Sequence, residues 1–252
     1  MEDSIAYWAL LVFLGLLAGI INTLAGGGSN LTLPALMITG MPADVANATN
    51  RVAVLLQNVV ATQRFHRKGK LPLDDAKGIL WPTILGGLVG SVVAAYAPVE
   101  ILKPALLLTM LGMATLILVR PDTVIPPEGT TPKRVEGNRA AFWGLFAAGF
   151  YGGFVQAGVG FVLIAALAGT LRYDIVRTNA LKTLCALVFT AIAMVLFIAN
   201  DLVDWWPGLL LAAGSTVGAW IGVNIALNIS SRTLKWFLFS MTLVAVIAAL
   251  LK

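Results

Sequence analysis

Two basic side chains lie where a charge is costly. Arg51, in "NATNRVAVLLQN", and Lys182, in "RTNALKTLCA", each stand about one turn inside an apolar segment. A cation at membrane depth calls for an acidic partner or a function. The nearby acids, Asp44 and Asp174, sit just before their segments, where N-capping is the natural role. The pattern therefore predicts a bound anion as the missing partner. Asn47, Asn50, Gln57 and Asn58 fall near one helical face, with Arg51 within a turn of the first two, and Thr178 and Asn179 precede Lys182.

Upstream of each cation, small residues interrupt an apolar run: "AGGGSN" inside residues 21–34, and "VQAGVG" at 155–160. Non-helical backbone is tolerated at membrane depth only where protein or a water-filled cavity surrounds it. Each break leads into a short helix whose unpaired N–H groups and positive dipole end attract anions. The predicted chemistry is oxyanion binding. Backbone N–H groups of Gly27, Gly28 and Ser29, with the Ser29 hydroxyl and Asn22, serve one side, and Gln156 and Gly158 the other. Arg51 supplies a bidentate fork, and Lys182, Asn50 and Asn179 complete the ring. Each feature also has a plainer role: close packing for glycines, snorkelling for the cations, interhelical hydrogen bonds for the amides.

Other chemistries lack their residues. The spans hold no carboxylate pair, no His and no nucleophile beside a base, so an enzyme is not expected. Cys185 is the one cysteine, which excludes an intrachain disulfide, and no metal-ligand cluster or cofactor motif is present. With no intramembrane Asp, Glu or His to relay protons, any proton coupling falls to the substrate itself. Otherwise an inside-negative potential drives an anion outward, by about 2.3 kcal/mol per charge at 100 mV.

The elements that must position these groups are membrane helices. Of 252 residues, 59% are hydrophobic and 12% charged, against about 25% charged in soluble domains. Apolar spans are expected near 6–25, 45–63, 78–97, 104–119, 139–156, 176–199, 208–228 and 235–251. Stretches 28–40 and 158–170 are too short to cross alone and read as second arms of re-entrant hairpins. The fold expected is an all-α integral membrane protein with about eight such helices plus two short arms. A net charge of +5 reflects basic loops beside an anionic leaflet, and no nucleic-acid partner is expected.

The chain divides at a Pro-rich linker, 120–138, into halves 1–119 and 139–252. "ATNR" and "RTNA" occupy matching offsets, and "GGLVGS" recurs as "GSTVGA". The loop "RFHRKGKLPLDDAK" is basic whereas its counterpart "NDLVDWW" is acidic. Equivalent loops then face opposite sides, and the halves are inverted repeats, a signature of secondary transporters.

The "AGGGS" motif with Pro34 downstream, followed by "ANATNR" at the head of the next helix, resembles the TauE/SafE family of sulfite and organosulfonate exporters. The resemblance covers essentially the whole chain, more loosely in "VQAGVG" and "TNALK". It implies a bacterial inner membrane location and export of sulfite or a small sulfonate as the anionic partner, with lipid as the other partner. A homodimer is compatible with the sequence and not required by it. An anion channel, or a transporter of a small carboxylate, would present the same donors.

Overall fold

The first apolar run folds as α1 (Ile5–Leu24) and ends at the glycine break. After it come α2 (Ser29–Ile38), α3 (Ala43–Arg67) and α4 (Leu73–Tyr96). The second half repeats the order: α5 (Arg139–Phe154), then α6 (Val159–Ile164) running on as a π-helical turn (Ala165–Thr170), then α7 (Ile175–Ala199) and α8 (Trp205–Asn228). This computed structural model describes residues 5–98, 100, 101, 104, 105, 108 and 131–228. The expected span at 235–251, linker residues 120–130 and nearly all of 104–119 lie outside the described residues. Every regular element among those described is helical, and the protein is an all-α integral membrane protein.

Among the described residues four helices, α1, α4, α7 and α8, are long and apolar enough to cross a membrane. With 25 residues, α3 spans about 37 Å, which is also enough. Its composition is too polar to stand among those four, because it carries Asn47, Asn50, Arg51, Gln57 and Asn58 inward, all buried. A helix with this interior must be wrapped by others, since lipid cannot pair those groups. Helices α7 and α8 pack along it.

Asp174 accepts from the backbone N–H groups of Val176 and Arg177 and caps α7, as its place in the sequence predicts. Asp44 differs. Pro42 occupies the cap position of α3, and Asp44 falls in the first turn, where its charge faces the positive helix end. The cause is Pro42, whose ring fixes φ near its observed −56° and starts the helix earlier than the carboxylate alone would.

Glycines bring the long helices backbone to backbone. A Cβ on Gly15 or Gly19 of α1 would collide with the carbonyl oxygens of Leu211 and Ser215 in α8. In α5, Gly149 and Gly153 stand in the same way on the carbonyls of Thr83 and Gly87 in α4. The reverse contacts correspond too: Gly214 and Gly218 against Val12 and Leu16, Gly86 and Gly90 against Phe146 and Phe150. In each helix pair both partners advance by four residues from one contact to the next, in the forward and the reverse set alike, so α1–α8 and α4–α5 are one interface built twice. Such small-residue seams give van der Waals contact where no hydrophobic force acts between helices.

Candidate functional site

The two breaks meet. Gly26, with φ +85°, turns the chain after α1, and a Cβ there would collide with the Cα of Gly160, at the start of α6. Gly160 is equally closed by Gly26 and the carbonyl oxygen of Ala25. The hairpin tips therefore touch through glycine backbone. The first tip is braced internally, because Asn22 Oδ1 accepts from the backbone N–H of Gly28 at 2.7 Å.

Each buried cation reaches the hairpin of the other half. Arg51 Nη1 donates to the carbonyl of Gly152 at 2.9 Å, and Nη2 to those of Gly153 at 2.7 Å and Phe154 at 3.3 Å. Its guanidinium also lies 5.0 Å from the Phe197 ring centroid. These carbonyls form the last turn of α5, where acceptors have no helical partner and the dipole is negative. Lys182 Nζ donates to the carbonyl of Thr23 in the last turn of α1, at 2.9 Å, and to Asn179 Oδ1 at 2.8 Å. The helix breaks thus create the negative ends that the two cations neutralise.

Beside the touching tips lies a cavity of about 20 Å³. Its polar wall is formed by Asn22, Ser29, Gln57, Asn58, Gln156, Lys182 and Thr183, and its apolar wall by Val54, Val159, Leu163 and Ala186. A single water needs roughly 10–15 Å³ of such space, so this conformation is closed to an oxyanion. Gln156 stands at φ +66° and donates from Nε2 to Thr190 Oγ1 at 2.9 Å.

Of the ten residues expected at an anion site, Asn22, Ser29, Gln156 and Lys182 line this cavity. Arg51 does not; its fork is directed to backbone carbonyls. Asn50 lies behind the wall, donating to Ser29 Oγ at 3.1 Å and accepting from Thr32 Oγ1 at 2.6 Å, and so sets the Ser29 hydroxyl. Asn179 sits behind Lys182 and anchors it. Gly27, Gly28 and Gly158 shape the turns without lining the cavity, and the Gly28 N–H is taken by Asn22. Thr183 was not anticipated, although its place next to Lys182 and four residues from Asn179 is a helical-face signal.

The sulfite exporter TauE/SafE family model matches residues 11–249. The chain belongs to the TauE/SafE family. It is 27% identical over 226 residues to the probable membrane transporter protein YfcA of Escherichia coli K12, covering 90% of this chain and 83% of that one. A probable membrane transporter protein of Haemophilus influenzae is 28% identical over 231 residues, covering 90% and 88%. ORF9 of a Sinorhizobium species, also named a probable membrane transporter protein, is 24% identical over 227 residues, covering 90% and 86%. This TauE/SafE member is a multi-pass membrane transporter.

Proposed function

We propose that this transporter exports a small sulfur oxyanion, sulfite or an organosulfonate, bound between the two hairpin tips. The observation that carries the reading is Lys182, a buried cation on the wall of a cavity made where two broken helices touch. Two of its contacts are to Thr23 and Asn179, and an ammonium has three N–H donors, so one is left for a ligand. Ser29, Asn58 and the Gln57 amide add neutral donors. Arg51 is proposed as a positioning residue that holds the end of α5.

The duplicated glycine interface supports reading residues 1–119 and 139–252 as inverted halves around this site. One half moving against the other would part the tips and open the cavity alternately. A cavity with room for about one water beside the touching tips favours this over a standing anion channel.

The test is uptake of labelled sulfite by proteoliposomes, with competing sulfonates and carboxylates. Lys182→Met should fold and insert but lose about tenfold or more of its flux, the scale of one charge-assisted hydrogen bond. Arg51→Met should instead lower the yield of folded protein, leaving the end of α5 uncapped. Normal flux in Lys182→Met would remove the proposed anion site.

A further inference from the structure

Gln57 is 2% exposed, lines the cavity, and has neither amide atom hydrogen-bonded. Rotating the amide by half a turn exchanges the two atoms and leaves one donor and one acceptor unpartnered either way. Gln156, on the opposing hairpin, lines the same cavity with one amide atom bonded to Thr190 and the other unpartnered. A buried amide without partners is costly, and the site regains that cost only when a ligand supplies the complement.

We infer that the transported anion carries a hydrogen-bond donor of its own. This rests on the proposed anion site. A bare oxyanion presents only acceptors: it can meet Lys182 Nζ and Gln57 Nε2, but it leaves the Gln57 Oε1 without a donor. A monoanion bearing an O–H or N–H satisfies both ends of the Gln57 amide and keeps its charge on Lys182. The donor can be a proton on the oxyanion itself, as in hydrogen sulfite, or a hydroxyl on a short organic arm. Sites built to hydrogen-bond a substrate hydroxyl reject analogues lacking it far more strongly than apolar pockets reject a missing methylene.

Calorimetric binding to the purified full chain in detergent tests this with two arms. In the first, 2-hydroxyethanesulfonate is compared with propane-1-sulfonate, similar in size and charge but without the donor. In the second, sulfite is titrated below and above its second ionisation, with methanesulfonate, which does not ionise there, as the pH control. The hydroxylated sulfonate, or the protonated form of sulfite, should bind about tenfold tighter than its partner. In Gln57→Met that preference should disappear, because both sulfonates lose the Gln57 Nε2 donor alike and only the hydroxylated one also loses Oε1. The wild-type comparison stands even where the variant does not fold. Equal binding within both pairs overturns the inference and leaves the anion site intact. A preference that persists in Gln57→Met also overturns it. No binding by any of these anions overturns the anion site, and the inference with it.

Discussion

Gln156 shows how a single residue can be held against its own preference. Its φ of +66° is left-handed, a region where a side chain costs about 1–3 kcal/mol. Two residues on, Gly158 adopts φ +75° without that cost. The strain persists because the side chain reaches Thr190 and the cavity wall, and because the Gln156 N–H closes the end of α5 on the Tyr151 carbonyl at 3.0 Å. Replacement separates the two contributions. Gln156→Gly removes the amide and relieves the backbone, whereas Gln156→Ala removes the amide and keeps the strain. The glycine variant should be more stable than the alanine variant by about 1 kcal/mol in unfolding measurements, and both should lose anion binding. The reverse order of stability would mean that the left-handed turn is not strained. Arg51 and Lys182 teach a related lesson. Each has as partner the negative end of a helix cut short, which is a formally neutral group.

At the scale of elements, the glycine contact between the tips decides whether the hairpins can close. Gly26→Ala and Gly160→Ala each place a methyl on backbone with nowhere to go, and at Gly26 the positive φ adds strain. Both should hold the tips apart and cut transport, while Gly144→Ala in α5, whose Cβ would meet only Ala166 at 3.8 Å, should be neutral. Proteoliposome flux alongside melting curves would check this; full transport by Gly160→Ala would show that the tips need not touch. The helices themselves were legible because apolar runs and glycine breaks are local signals: the span expected at 6–25 is Ile5–Leu24, and that at 176–199 is Ile175–Ala199. The short arms were legible by length, at Ser29–Ile38 and from Val159 on. The partner of Arg51 was not. Its acceptors are main-chain carbonyls about a hundred residues away, and a backbone carbonyl has no sequence signature. The π-helical turn after Ile164 and the unpaired state of Gln57 depend likewise on packing that no local pattern encodes.

Across the whole molecule, polar contacts tie residues before the linker to residues after it, and the proposed rocking motion must carry them along or break them. Besides the two cations, Thr49 Oγ1 accepts from the Asp204 N–H at 3.0 Å, and Tyr173 donates its hydroxyl to Asp75 Oδ2 at 2.7 Å. The last tie joins Tyr173, in the loop after the second hairpin and outside the spans, to the first turn of α4. Burial first, and then the bond to Asp75, raise the Tyr173 pKa above its ordinary value near 10. The folded state thus holds this proton more tightly than the unfolded chain does. The stability it contributes is complete below about pH 10 and declines as the pH rises above that point, toward the higher folded value. Tyr173→Phe should lose about 1 kcal/mol at neutral pH, because Asp75 loses its donor, and it should be less sensitive to alkali than the wild type above about pH 10. Unfolding midpoints of both proteins between neutral and strongly alkaline pH would decide it. An alkaline decline that is the same in Tyr173→Phe would place the sensitive group elsewhere. If the tie also restrains motion between the halves, Tyr173→Phe should speed the opening of the cavity and raise the rate of anion exchange at neutral pH while lowering stability. A variant that loses stability without gaining exchange would mean that α4 and the second hairpin loop move as one body.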